Sequence, residues 1–203
     1  MTVKDRDKQG RFTPHNNGNK SGNFKNLGVV AGAAGAGVAL GVLAMLGRKA
    51  AVQAPTWLAG QWDEALAAEH KAVLKLFDAI EATRDSDRLK RTMMLAQMKH
   101  ALAKHALEEE NAIYPALRDA GERDAADALN KEHGYVKQYL YELENMPNNA
   151  PEFLQTIARF RADLEKHMRE EESVLFPKLR AALDEERNKH LTAVMNKEGF
   201  KLA

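Results

Sequence analysis

The sequence predicts an all-α protein: an up-down-up-down four-helix bundle made from a duplicated αα-hairpin, preceded by a Gly/Ala-rich membrane-spanning helix. Three observations carry that prediction. Residues 104–118 read KHALEEENAIYPALR and residues 166–180 read KHMREEESVLFPKLR, so a charged helix surface occurs twice almost unchanged. A matching pair precedes each copy, Glu69-His70-x-x-Val73 and Glu132-His133-x-x-Val136. Ahead of both hairpins lies LGVVAGAAGAGVALGVLAMLG, residues 27–47, without a single charge.

Taken in order, residues 1–26 are rich in Asn, Gly, Lys and Asp and poor in aliphatic side chains. Such a segment buries too little apolar surface to offset its ordering entropy, and is expected to be disordered. As a helix, residues 27–47 would be roughly 31 Å long, the thickness of a bilayer's hydrocarbon core. Gly28/Gly32 and Gly37/Gly41 have the small-xxx-small spacing that lets helices associate in lipid, so a homodimer through this segment is a further expectation. Flanking Lys and Arg residues on both sides leave the membrane orientation undecided. The bundle is expected over residues 56–184. Its first helix covers about 56–83, with Thr56 as a cap after Pro55, and its second about 86–119, ending before Gly121. The third covers about 122–145, stopping before Pro147, and the fourth about 150–184. Short connections make neighbouring helices antiparallel. Pro115 and Pro177 should kink or end their helices, and residues 185–203 read as a short helix or a tail.

Composition narrows the chemistry. Thirty Lys and Arg against 29 Asp and Glu give no basic field for nucleic acid. Cysteine is absent, which removes disulfides, thiolate metal sites and Cys nucleophiles together. Metal chemistry must therefore use His, Asp and Glu.

Positions i and i+4 of a helix share a face. His105 and Glu109 thus point the same way, as do His167 and Glu171, while His70 and His133 face them from the other helix of each hairpin. Four imidazoles and two carboxylates make six donors, enough to hold two ions with both carboxylates shared. Imidazole and carboxylate suit iron, manganese or zinc, and the donor set alone does not choose among them. A single His-x-x-x-Glu is ordinarily a solvated pair; its recurrence at matched places in both hairpins is what points to metal. His100 is rotated off this face, His15 lies in the polar lead and His190 lies beyond the fourth helix. Glu108, Glu110, Glu170 and Glu172 are expected to be exposed, with Glu108 or Glu170 available to support the ligands. Met93, Met94 and Met98 read as core.

These residues resemble the hemerythrin HHE cation-binding domain over about residues 58–183. The resemblance implies a non-haem di-iron centre with His70, His105, Glu109, His133, His167 and Glu171 as ligands. Oxygen-carrying hemerythrins have a further His one turn after the third-helix His, where this chain has Lys137. It is therefore similar to the six-ligand bacterial branch, whose members are associated with nitric oxide handling, repair of damaged iron centres and oxygen or redox sensing. The resemblance implies a small gas or oxidant as the reactant. A gas or iron sensor or store, or a bundle merely stapled by its metal, are the alternatives.

Overall fold

In the computed structural model the described residues are Met45, Gly47, Lys49, Gln53 and 56–203. The expected disordered lead, residues 1–26, and most of the expected membrane helix, 27–47, lie outside them. Among the described residues every regular element is helical, and no helix is long and apolar enough to cross a membrane.

The first hairpin pairs α1 (Trp62–Glu81) with α2 (Arg88–Glu108). The second pairs α4 (Arg123–Asn145) with α5 (Pro151–Glu170). Helix α1 packs on α2 and α5, and α4 packs on α5 and α2, which closes a ring of four. The first helix begins later than the sequence suggests. Thr56, Trp57 and Leu58 are helical, but Gly60 adopts φ +109° and breaks the run. The chain restarts at Gln61, whose N–H donates to Glu64 Oε2 at 2.9 Å.

Both internal prolines act in the same way. Pro lacks an N–H, and its ring crowds the carbonyl four residues back. The helix answers by widening to π-helical turns, Glu109–Ile113 before α3 (Tyr114–Asp119) and Glu171–Leu175 before α6 (Phe176–Ala182). There the N–H of Tyr114 reaches back five residues to the Glu109 carbonyl, and Phe176 does the same to Glu171. Gly121, at φ +94°, ends α3. Its N–H bonds the Arg118 carbonyl at 3.1 Å while Glu122 N–H bonds Leu117 at 2.9 Å, the paired closure that needs a left-handed residue.

Residues 185–203 form a helix, the first of the two expectations, but a longer and better-packed one than expected. Helix α7 (Glu185–Leu202) spans 18 residues and packs on α2 and α1. Leu191 and Met195 enter the core, and Trp62 Nε1 donates to Asn188 Oδ1 at 3.0 Å.

The core has two apolar clusters. One gathers Trp62, Ile113, Tyr114, Leu129, Phe176 and Met195; the other gathers Phe77, Met98, Leu143, Phe153, Phe160 and Met168. Met98 is fully buried and Met94 partly so, but Met93 is exposed rather than core. Along α1 and α4 the metal-ligating candidates fall between the two clusters: His70 lies between Leu66 and Val73, and His133 between Leu129 and Leu140. The polar band is thus sealed above and below by hydrocarbon.

At the far end of the bundle Arg91 is fully buried. It donates to Thr83 Oγ1 (2.7 Å), the Asn148 carbonyl (2.5 Å) and Asp85 Oδ1 (3.0 Å), tying both hairpin loops together. Arg91→Ala strands those acceptors, so a loss of about 3 kcal/mol is expected. Urea unfolding of the metal-free protein measures it, and a loss below about 1 kcal/mol would show the loops hold without Arg91. Because Arg91 takes no part in the polar band, the metal content of the folded variant should be unchanged.

Candidate metal centre

Each candidate ligand is placed by its helix phase. His70 comes from α1, His105 from the last turn of α2, His133 from α4 and His167 from α5. Glu109 and Glu171 open the two π-helical turns. The structure brings all six into one buried band, each at 5 % exposure or less. His70, His105, Glu109 and Glu171 place one donor atom each within 4.8 Å of one another, and so do Glu109, His133 and His167.

The arrangement has a pseudo-two-fold. Glu109 Oε2 lies 3.3 Å from His105 Nε2 on its own helix and 3.2 Å from His133 Nε2 on the other hairpin. Glu171 repeats this, with Oε1 3.3 Å from His167 Nε2 and Oε2 3.5 Å from His70 Nε2. Each carboxylate therefore reaches from one hairpin to the other.

The Nδ1 atoms complete the design. His70 meets Glu172 at 2.7 Å, His105 meets Glu69 at 3.1 Å, His133 meets Glu110 at 3.0 Å and His167 meets Glu132 at 2.7 Å. A carboxylate at Nδ1 keeps the proton there, which turns the Nε2 lone pair toward the centre and makes the imidazole a better donor. The expectation for the neighbouring glutamates is corrected accordingly. Glu170 and Glu172 are exposed as expected and Glu110 is half-buried, but Glu110 and Glu172, each the residue directly after the glutamate of a His-x-x-x-Glu step, support the histidines, whereas Glu108 is fully buried and points elsewhere. The repeated Glu69-His70 and Glu132-His133 steps already carried part of this signal.

Glu108 belongs to a separate cluster. Lys104 Nζ fills the space between Glu69 Oε1 (2.5 Å) and Glu108 Oε1 (2.8 Å) and also reaches Thr56 Oγ1 (3.2 Å), so a side-chain cation already occupies it. Gln53 and the Cα of Gly199 on α7 close over Glu108; a Cβ at Gly199 would strike its carboxylate. His100 is half-buried beside this cluster and takes no part in the centre. His190 is exposed on α7.

Burial sets the electrostatics. It pushes the Glu109 carboxyl up to about 8 and Glu171 well above the ordinary carboxylate value, with the Glu109 charge adding to the latter. Burial also pushes His105 down to about 3 and lowers His70. Glu69 shows the opposite sign: despite burial, its hydrogen bond with His105 and the nearby charges of His105 and Lys104 hold it well below the usual range.

The donor set fits a pair of metal ions. Two donors about 2.1 Å from one ion and at right angles about it lie about 3 Å apart. His70 Nε2 and His105 Nε2 are separated by 2.9 Å, and the carboxylate–imidazole distances of 3.2 to 3.5 Å are close to the same spacing. Glu109 Oε1, Glu171 Oε2 and His167 Nε2 are buried with no hydrogen-bond partner. Orphaned buried oxygens and a lone-pair nitrogen are costly unless a cation satisfies them.

A further residue of this centre also escaped the sequence. Tyr114, fully buried, places its Oη 3.1 Å from Glu109 Oε2, 2.9 Å from Glu171 Oε1 and 3.0 Å from His133 Nε2. At the matching place in the second hairpin, Phe176 stacks on the His70 ring instead.

A cavity of about 300 Å³ opens onto the centre between α2 and α4. Leu102, Val136 and Leu140 line it, and it ends on His105, His133 and His167. At its mouth Lys99 pairs with Glu144 at 2.7 Å and Lys137 with Glu110 at 3.3 Å, so the entrance has no net charge.

Comparison with known proteins agrees with this geometry. An uncharacterised hemerythrin-like protein of Schizosaccharomyces pombe is 29% identical over 133 residues, 64% of this chain and 64% of that protein. A DNA nickase of a Nostoc species is 29% identical over 119 residues, 58% of this chain and 33% of the nickase. The chain thus spans less than two thirds of either relative's length. No solved structure matches it. The profile of the hemerythrin HHE cation-binding domain matches residues 63–198, and the chain belongs to that family.

Proposed function

We propose that the protein is a non-haem di-iron protein that takes a small neutral oxidant or gas, such as nitric oxide, dioxygen or peroxide, in stress defence or iron-centre repair. His70 and His105 would hold one iron, His133 and His167 would hold the other, and Glu109 and Glu171 would serve both. When bound, two ferrous ions supply two electrons at one site. The chain's own part is to fix the imidazoles through their Nδ1 carboxylates, to keep water sparse with the two apolar clusters, and to admit the reactant. The observation that carries this reading is the apolar cavity ending on three of the histidines. A charged reactant would gain nothing from such walls, whereas a small neutral one crosses them at little cost.

The test is to load the protein with ferrous iron without air, count the metal, and follow loss of the ferrous state on mixing with peroxide, nitric oxide or dioxygen. Two irons per chain and rapid oxidation or binding by at least one reagent are expected. Val136→Trp, which fills the cavity and removes no ligand, should slow that reaction about tenfold or more at unchanged iron content. Inertness toward all three reagents would leave the metal a structural staple. Equal rates in the variant would move the entry path elsewhere.

Residues 27–47 anchor the bundle to a membrane in this proposal. Resistance of the full chain to alkaline extraction from membranes, lost on deleting 27–47, is the expected behaviour.

A further inference from the structure

We infer that Tyr114 is a seventh protein ligand: its phenolic oxygen coordinates the iron held by His133 and His167. This rests on the di-iron reading above and deepens it, because it makes the two irons chemically unlike.

The argument begins with the number of lone pairs that meet at the Tyr114 oxygen. Glu110 sits 3.0 Å from His133 Nδ1 and keeps the proton on that nitrogen, so His133 Nε2 presents a lone pair. That lone pair lies 3.0 Å from Tyr114 Oη. Carboxylate oxygens of Glu109 and Glu171 approach the same Oη at 3.1 Å and 2.9 Å. A phenol has one O–H and can satisfy one of the three. A cation among them satisfies all four atoms at once.

The distances point the same way. They match the spacing of about 3 Å expected between neighbouring donors on one ion. His167 Nε2, without a hydrogen-bond partner, lies 3.3 Å from Glu171 Oε1 and completes the set. Tyr114 is therefore one corner of a group of five donors, with His133, His167, Glu109 and Glu171. Nothing corresponds in the other half, where Phe176 offers a ring face to His70.

Ligation exchanges the phenolic proton for the metal. The proton leaves to solvent and no electron is transferred.

The experiment uses the whole protein, loaded with ferrous iron and then oxidised to the ferric state. Phenolate bound to ferric iron gives a broad visible charge-transfer band, and exciting that band enhances tyrosinate vibrations in the Raman spectrum. Both are expected in the wild type. Tyr114→Phe, which copies the residue already present at Phe176, should fold normally, retain two irons and lose band and vibrations completely. Two irons per chain with no tyrosinate signature, and the same spectrum in both proteins, would overturn the inference and leave the di-iron reading standing. A wild type that binds no iron would overturn both.

Discussion

Glu109→Ala is expected to abolish iron binding altogether, whereas His133→Ala should leave about one iron per chain. The difference comes from where each donor reaches. Glu109 Oε2 is within 3.3 Å of imidazoles from both hairpins, and its other oxygen is buried without a partner. On the di-iron reading, removing it would take an anionic donor from both ions and leave each with neutral imidazoles and a share of Glu171. Two divalent ions close together in a buried site depend on bridging negative charge to screen their mutual repulsion. His133, by contrast, would serve one ion on the di-iron reading, and the His70–His105 pair would stay intact. Elemental analysis of desalted protein reads the result directly. Glu109→Gln separates ligation from folding, since the amide keeps the shape and can still hydrogen-bond Tyr114. It should be as metal-poor as Glu109→Ala while the metal-free bundle stays fully helical by circular dichroism. Retention of two irons by Glu109→Ala would remove Glu109 from the bridging role. Loss of only one would confine it to a single ion.

Much of the centre was readable before the fold because its signal is local and doubled. His105 with Glu109, and His167 with Glu171, are one α-helical turn apart, a spacing that sequence displays directly. The two supporting partners Glu110 and Glu172 were hidden for a different reason. They act across the hairpin boundary, on His133 and His70, and nothing in one helix reveals which side chain of the other it will meet. Tyr114 was hidden by the prolines. Five residues after Glu109 it would sit roughly 140° away around an ordinary α-helix. The π-helical turn forced by Pro115 brings it back onto the face of Glu109. A reading based on a fixed period of 3.6 residues cannot place it there.

The same limits explain the fold. The hairpins follow from repeated motifs and short connections, so the ring of α1, α2, α4 and α5 was foreseeable. Helix α7 was foreseen only as a short helix or a tail, because the signals for its seat are tertiary. Its apolar residues are few, Leu191 and Met195 among them, and its seat depends on polar contacts such as Trp62 with Asn188 and on Gly199 fitting against Glu108. Met93 was misplaced because three nearby methionines on one helix cannot all face inward.

The metal-free protein should be most stable near pH 5 and should lose stability toward pH 8, the reverse of the metal-loaded protein. The sign follows from the buried groups. Glu109 titrates at about 8 in the folded state against 4.5 in the unfolded chain, Glu108 likewise at about 8, and Glu171 is also raised. A raised carboxyl contributes stability that is complete below the unfolded value and is lost as pH climbs through the folded one. His105, at about 3 against 6.5, and His70, also lowered, act oppositely: their contribution is complete above 6.5 and is lost as pH falls. Glu69, Glu132 and Glu172, all lowered, add to the loss on the acid side. Above pH 6.5 only the raised carboxyls still titrate, so stability falls steadily there. For Glu109 alone the loss approaches about 4 kcal/mol by pH 8, because a tenfold change in a proton-binding constant is worth about 1.4 kcal/mol. Glu171 shares its surroundings, so the two losses do not simply add. Metal inverts the balance, because ionised carboxylates and neutral imidazoles are the forms that bind it. Thermal melts in a chelator at about pH 5 and about pH 8, repeated with redox-inert zinc, give both arms. The chelated protein should melt lower at the higher pH, and zinc should raise the melting temperature far more at pH 8 than at pH 5. A chelated protein whose melting point rises steadily over that range would mean that Glu109 and Glu171 are charged in the metal-free fold, with some other cation holding them apart.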